Sequence, residues 1–117
     1  MADRAQPKIP LVFFRTRSGI EPVREWLKTL LPEDRETIGN DLMRAQWRWP
    51  VGMPLCRPMG DGLFEIRTDL ANSRIARVLV GSDEGALIAL HGFIKKTQKT
   101  PPAELATARK RLKELKK

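Results

Sequence analysis

A chain of 117 residues with 41% hydrophobic content can bury one modest core, and we expect a single domain spanning residues 1–117. The lone cysteine, Cys56, excludes an intrachain disulfide, and no apolar run approaches the ~18 residues of a membrane span. The first residues also lack an apolar targeting segment. We therefore expect a soluble cytoplasmic protein with no membrane partner.

The formal charge of +8 favours a polyanionic partner such as nucleic acid, or an acidic protein. Residues 94–117 hold nine Lys or Arg against two Glu, a net charge of +7, so residues 1–93 contribute only +1. The basic field therefore belongs to one end of the chain.

The N-terminal half predicts a strand followed by two helices. Residues 1–7 are polar and expected to fray, and the apolar run Ile9–Phe14 predicts an edge or near-edge strand. Helical periodicity begins at Ile20, and a second helical pattern starts near Pro32 and stops at Pro50. The apolar positions of the first helical pattern are Ile20, Val23, Trp26, Leu27, Leu30 and Leu31. Those of the second are Ile38, Leu42, Ala45 and Trp49. This helical hairpin needs a sheet to cover.

Residues 50–62, PVGMPLCRPMGDG, hold three prolines and three glycines and predict a connecting loop. Three strands follow, joined by turn-forming clusters short enough for two hairpins: Leu63–Thr68, Arg74–Val80 and Leu87–Ile94. Thr100 is the predicted N-cap of a basic helix at about 101–116. The sequence thus predicts an α+β fold, with an N-terminal strand and helical hairpin on a small, mainly antiparallel sheet. It leaves open whether the first strand is parallel to its neighbour.

Charged side chains interrupt the apolar strands. Alternation places Glu65 and Arg67 on one face of their strand, and Arg74 and Arg77 lie in the next strand. A charge in a core strand is costly unless it is paired or faces a ligand. One interpretation is a structural salt bridge from Glu65 to an arginine; the other is a planar guanidinium that binds phosphate.

The last strand carries His91 and ends at Lys95 and Lys96, with Lys99 in the loop beyond. A lone histidine in an apolar strand is more often a core residue than a catalyst, and the lysines alone are typical of a solvated loop. His91 gains weight as a candidate because two lysines follow it and arginine-bearing strands lie beside it.

The sequence contains no metal-ligand spacing, Gly-rich phosphate loop or nucleophile elbow. We therefore expect no metal and no cofactor, and any chemistry must come from Arg, Lys, His and Glu. That set suits metal-free RNA cleavage, in which the substrate's own 2′-OH attacks the phosphate. The enzyme then removes one proton, stabilises the phosphorane and protonates the leaving 5′ oxygen.

Several segments carry a family resemblance: LFEIR, RIARVLV and LIALHGFIKKTQKTPPAEL followed by ARKR, with EPVREWLKTL and WPVGMPL upstream. Over nearly the whole chain they resemble the phage-derived HigB-like branch of the RelE/ParE toxin superfamily. The resemblance implies the toxin of a type II toxin–antitoxin system, a ribosome-dependent mRNA endoribonuclease that cuts codons in the ribosomal A site. It also implies a helix-turn-helix antitoxin as partner, with no direct DNA binding without that antitoxin.

The resemblance further implies the site residues. Its strand motifs and our role assignments give the expected catalytic residues Glu65, Arg67, Arg77 and His91. The expected RNA-binding residues are Lys95 and Lys96, which match the family's final motif, together with Arg74 and Lys99, which the resemblance does not assign. We infer that Arg67 and Arg77 bind phosphate and stabilise the transition state, and that His91 acts as acid or base. Glu65 either orients an arginine or acts as the base.

One departure from the family pattern concerns tyrosine. Better-studied relatives often use a tyrosine near the active site, and this chain contains none. Either His91 takes that role, or the activity is weak, lost or different. Two other functions therefore stay open: a ParE-like toxin that inhibits gyrase without cutting nucleic acid, and a non-catalytic RNA-binding module.

Overall fold

The computed structural model describes residues 7–116, which form three helices and a five-stranded sheet. The elements in chain order are β1 (Leu11–Phe13), α1 (Pro22–Lys28), α2 (Pro32–Arg48), β2 (Cys56–Gly60), β3 (Leu63–Asp69), β4 (Ile75–Asp83), β5 (Ala86–Lys95) and α3 (Pro102–Leu115). The predicted α+β class is confirmed. The expected fraying of the N-terminus falls almost entirely on residues 1–6, which lie outside the described part.

The strand order is β1-β5-β4-β3-β2, and every pair is antiparallel except β1 with β5. The predicted meander of β3, β4 and β5 is therefore confirmed. Glu84 and Gly85 join β4 to β5 with positive φ values of 47° and 78°, the backbone that suits the twist of a tight hairpin. The parallel pairing of β1, with Leu11 opposite Leu87, settles the orientation that the sequence leaves open.

The prediction that residues 50–62 form only a loop is wrong. Cys56–Gly60 is the edge strand β2, which pairs antiparallel with β3. An edge strand tolerates Pro58, because a missing backbone N–H on the outer side breaks no ladder. The register also shifts between Pro58 and Gly60, as it does at a β-bulge. Because proline and glycine are typical of loops, composition alone does not predict this strand.

Helices cover both faces of the sheet. On one face α1 and α2 pack through Val23, Ile38, Leu42 and Ala45 against Ile66, Val78, Val80 and Ala89. On the other, α3 packs through Ala108 and Leu112 against Leu63, Leu79, Leu90 and Phe93. Glycine permits the close approach on each side: a Cβ at Gly92 would overlap the Trp26 ring, and one at Gly81 would overlap Leu112. The predicted apolar positions Ile38, Leu42 and Ala45 of α2 are confirmed as buried.

The start of α3 differs from the prediction. Pro101 occupies the N-cap position and makes no side-chain cap bond, so Thr100 is not the cap. The hydroxyl of Thr100 instead donates to the Glu65 carboxylate in β3. The chain before α3 is thereby fixed to the sheet. Within residues 7–116, no helix combines the length and apolarity needed to cross a bilayer.

Candidate functional site

The sheet face beneath α3 carries most of the predicted site residues. Arg67 lies opposite Arg77 in the register of β3 and β4, and Arg77 lies opposite Phe93 of β5. Strand alternation puts Glu65 on the same face, beside Leu63, which packs under α3. His91 also points to this side, because it contacts α3 directly. All four predicted catalytic residues therefore share one face.

Three of these residues hold a single segment of chain, Thr97–Thr100, which we call the strap. The contacts are Arg77 Nη2 to the Thr97 carbonyl, Arg67 Nη2 to Gln98 Oε1 at 3.1 Å, and Thr100 Oγ1 to Glu65 Oε2. We call Glu65, Arg67 and Arg77 together the strap cluster. It fixes the end of β5 and the beginning of α3, between which the exposed Lys96 and Lys99 lie.

The strap cluster is deeply buried. Glu65 and Arg77 are 0% exposed, and the Arg67 side chain is 17% exposed. Each arginine Nε lies 3.8 Å from one oxygen of Glu65. Desolvation by burial lowers the pKa of Arg77, with the neighbouring charge of Glu65 acting in the opposite direction. The carboxylate thus holds two guanidinium groups, and both are partly removed from water.

Hydrogen bonding in the strap cluster is incomplete within the described residues. Three buried atoms have no hydrogen-bond partner there: Glu65 Oε1, Arg77 Nε and Arg77 Nη1. A structural salt bridge from Glu65, one of the two interpretations of the sequence, is present. The other interpretation, direct phosphate binding by Arg77, stays a prediction that requires the strap to move.

A second group of charged side chains surrounds His91. Its Nε2 lies 2.6 Å from Glu104 Oε1, and its Nδ1 lies 3.5 Å from Arg111 Nη1. The other oxygen of Glu104 lies 3.8 Å from Lys95 Nζ. We call His91, Lys95, Glu104 and Arg111 the His91 cluster. The side chains of His91 and Glu104 are each 20% exposed and that of Lys95 is 47% exposed, whereas Glu65 and Arg77 of the strap cluster are fully buried.

The partners of His91 define its neutral tautomer. A guanidinium has only donors, so Nδ1 facing Arg111 carries the lone pair, and Nε2 carries the proton that it donates to Glu104. Arg111 is held in place by a 2.7 Å bond to the Leu90 carbonyl and by packing over Phe14, 5.9 Å from the ring centroid. Burial lowers the pKa of Arg111, with Glu114 acting in the opposite direction. The Nδ1 atom of His91 and the guanidinium of Arg111 therefore lie side by side.

Phe93 connects the two clusters. Its ring stacks on His91 with centroids 5.8 Å apart, and the Arg77 guanidinium carbon lies 5.7 Å from its centroid. Phe93 itself is buried. The imidazole and the buried guanidinium are therefore neighbours through a phenyl ring.

Arg74 lies apart from both clusters. Its guanidinium bonds both oxygens of Asp34 in α2, at 2.8 and 3.1 Å, and also the Ala71 carbonyl at 3.0 Å. The hydrogen bond from Arg74 lowers the pKa of Asp34, and Asp34 raises that of Arg74. The pair ties the turn before β4 to α2. RNA binding by Arg74 would require this pair to open.

Four residues of the site are not predicted from the sequence: Gln98, Thr100, Glu104 and Arg111. A usable signal exists for the last two, because Glu104 and Arg111 are seven residues apart, about two helical turns, and share one side of α3. Gln98 and Thr100 offer no such signal, because their contacts depend on the path of the strap.

The chain has a recognisable family. The family model described as phage-derived protein, Gp49-like (DUF891), matches residues 25–113, from within α1 to near the end of α3. The chain belongs to this Gp49-like family. It is a toxin family of toxin–antitoxin systems, related to RelE- and HigB-type toxins, which implies an antitoxin as partner. No curated protein matches the chain. The matched range of this Gp49-like toxin includes the strap and both clusters.

Proposed function

We propose that this Gp49-like protein is the toxin of a type II toxin–antitoxin system and cleaves mRNA on the ribosome by metal-free acid–base chemistry. The observation that carries the proposal is the placement of His91 between a carboxylate and a guanidinium, in a partly exposed position. The family supports the toxin assignment. A helix-turn-helix antitoxin and mRNA in the A site are the proposed partners.

His91 is the proposed proton-transfer group. Glu104, 2.6 Å from Nε2, fixes the ring orientation and stabilises the imidazolium that forms when Nδ1 takes a proton. Nδ1 either accepts a proton from the attacking 2′-OH as a base or, once protonated, donates a proton to the leaving 5′ oxygen as an acid. Glu104 is therefore proposed as a positioning residue that the sequence analysis does not name.

Arg111 is the proposed phosphate ligand nearest to that proton. Its Nη1 lies 3.5 Å from Nδ1, so a phosphate held by the guanidinium also lies beside the imidazole. Charge-assisted donors are most valuable where negative charge develops, as it does on the phosphorane oxygens. Transition-state stabilisation, which we infer for Arg67 and Arg77 from the family resemblance, is here proposed for a residue of α3 as well.

The strap cluster has a supporting role in this proposal. Arg77 and Glu65 hold the strap, and the exposed Lys96 and Lys99 lie in and beside this held segment. Lys95, Lys96 and Lys99 contact the RNA backbone, where their charges act mainly through the salt-dependent attraction of phosphates. Arg67, the more exposed arginine of the cluster, supplies a further phosphate contact at the edge of the strap.

The test is cleavage of a defined mRNA on purified ribosomes, followed by analysis of the new RNA ends. Attack by the 2′-OH gives a 2′,3′-cyclic phosphate and a 5′-hydroxyl, and a 2′-deoxy substitution at the cut position abolishes the reaction. The His91→Ala protein is the inactive control. Products with 5′-phosphates, or equal cleavage of the 2′-deoxy message, contradict the mechanism.

A further inference from the structure

Two open grooves of similar volume lie at different edges of the sheet. One, of about 520 Å³, borders the strap and is lined by Arg44 and Arg67 against Asp41 and Asp69, so its charges balance. The other, of about 530 Å³, lies between the turn after β1 and α3. We call the second one the turn groove. Of the two, it has the net positive lining.

Basic and hydroxyl side chains line the turn groove: Thr16, Arg17, Ser18, Thr107, Lys110 and Arg111. Glu114 is the acidic residue of the same lining. An adjoining groove of about 330 Å³ shares Arg17 and adds Arg15. Arg15, Arg17 and Lys110 are exposed, and within residues 7–116 none of them forms an ion pair. The positive charge there is available to a ligand.

The turn groove and the His91 cluster share Arg111. This residue forms part of the groove's wall, and its Nη1 lies 3.5 Å from His91 Nδ1. A phosphate in the groove that binds the Arg111 guanidinium therefore lies near the imidazole. Guanidinium, ammonium and hydroxyl donors along one path match the phosphates and sugars of a nucleic-acid backbone.

We propose that the turn groove binds the phosphodiester backbone of single-stranded RNA, with Arg17 and Lys110 holding the strand while Arg111 places one phosphate beside His91. This inference rests on the proposed RNA-cleaving function and names where its substrate enters. An acidic peptide is the less suitable occupant. Phe14 is 4% exposed and gives a peptide little apolar surface, whereas the hydroxyl donors suit phosphate and ribose.

The test compares two double variants that each remove two positive charges. Arg17→Ala/Lys110→Ala alters the turn groove. Arg35→Ala/Arg48→Ala alters exposed positions on α2, which packs on the opposite face of the sheet. The probe is a fluorescent single-stranded RNA with 2′-O-methyl groups, which cannot undergo 2′-OH attack. Its dissociation constant is measured by anisotropy over a range of salt concentrations, after circular dichroism confirms that each variant is folded.

We expect the groove variant to bind the probe about tenfold more weakly at about 50 mM salt. The slope of log affinity against log salt falls by about 1.4, because two phosphate contacts on a single strand are lost. The α2 variant keeps the wild-type slope. Equal slopes for the wild type and the groove variant overturn the proposal. So does a groove variant that loses affinity for polyglutamate while its RNA affinity is unchanged.

Sedimentation with ribosomes separates two sources of the same backbone. Weaker binding of the groove variant only when mRNA is present identifies the message as the occupant, and equal weakening without mRNA identifies ribosomal RNA. A wild-type protein that binds RNA through Arg17 and Lys110 but cleaves nothing on ribosomes contradicts the proposed function and leaves the groove assignment intact. If the wild type cleaves mRNA and the groove variant binds and cleaves RNA equally well, the groove assignment is contradicted and the proposed function stays intact.

Discussion

The strap cluster and the His91 cluster use the same arrangement of charges at different depths. In each, one carboxylate lies between two basic groups: Glu65 between Arg67 and Arg77, and Glu104 between His91 and Lys95. Glu65 and Arg77 are 0% exposed, whereas the side chains of His91 and Glu104 are 20% exposed. Depth therefore separates the fully buried Glu65–Arg77 pair from the partly exposed His91–Glu104 pair.

The difference in burial implies that the two clusters have different functions. A buried ion pair is costly to break, because removing one partner leaves an unpaired charge away from water. A partly exposed imidazole can meet substrate and exchange a proton with it. The strap cluster is thus suited to holding chain segments in place, and the His91 cluster to chemistry. Variants in the two clusters should separate stability from activity.

The largest effect is expected for Arg77→Ala. This change leaves Glu65 buried beside a lost partner and frees the strap, so we expect the free energy of unfolding to fall by about 3–5 kcal/mol. Urea denaturation measures the change. The double variant Glu65→Leu/Arg77→Met removes both charges and should be clearly more stable than Arg77→Ala. Wild-type stability for Arg77→Ala would assign the pair no structural role.

His91→Ala should show the opposite pattern. We expect cleavage to slow by roughly 100-fold or more, because a general acid–base group is lost. Stability should change by only about 1 kcal/mol, because the side chain is partly exposed. Single-turnover cleavage on ribosomes and urea denaturation of the same preparation measure the two quantities. A variant that cuts at the wild-type rate removes His91 from the mechanism.

Glu104→Gln tests the positioning role with a smaller expected effect. The amide keeps the shape of the side chain but loses the charge that stabilises the imidazolium, so we expect kcat to fall about tenfold with KM unchanged. Glu104→Asp should recover part of the loss. If Glu104→Gln instead raises KM and leaves kcat unchanged, Glu104 contributes to RNA binding and not to the action of His91.

For Asp34→Asn we expect no change in activity. Arg74 lowers the pKa of Asp34 in the folded state, so the pair stabilises the fold above the ordinary aspartate pKa of 3.8. That stability is lost as the pH falls through the lower folded value. Asp34→Asn should therefore be less stable than wild type at pH 7, with a difference that shrinks below pH 3.8. Thermal unfolding at several pH values measures this. Tighter RNA binding or faster cleavage by a folded Asp34→Asn protein, in which Arg74 is released, would place Arg74 in the site.

Much of the fold follows from local sequence rules. Apolar runs separated by turn-forming clusters predict the three strands of the meander, helical spacing predicts α2 and α3, and Ser-Asp-Glu-Gly predicts the turn between β4 and β5. The strand β2 escapes prediction, because Pro58 and Gly60 are ordinary loop residues except at a sheet edge. Pairing with a distant strand, and not local preference, makes Cys56–Gly60 extended.

The site is predictable only in part, for a physical reason. The predicted hairpin puts Glu65 and Arg67 in a strand adjacent to that of Arg77, but the sequence does not tell how deeply the three residues are buried. Their depth depends on the strap, whose Thr100 bonds Glu65 and does not cap α3. The partners of His91 depend on how α3 docks, which the close packing of Leu112 on Gly81 helps to set. Contacts between distant segments decide both features.

Mapping of transcript ends after induction in cells shows whether the protein cuts mRNA and whether the cuts depend on His91. With the wild-type protein we predict new 5′ ends inside translated messages, in register with codons. We predict none with His91→Ala accumulated to the same soluble level. Intact messages accompanied by DNA damage would contradict the account and favour gyrase inhibition. Normal growth without cuts would favour a non-catalytic RNA-binding module, and identical cuts with His91→Ala would contradict the assignment of proton transfer to His91.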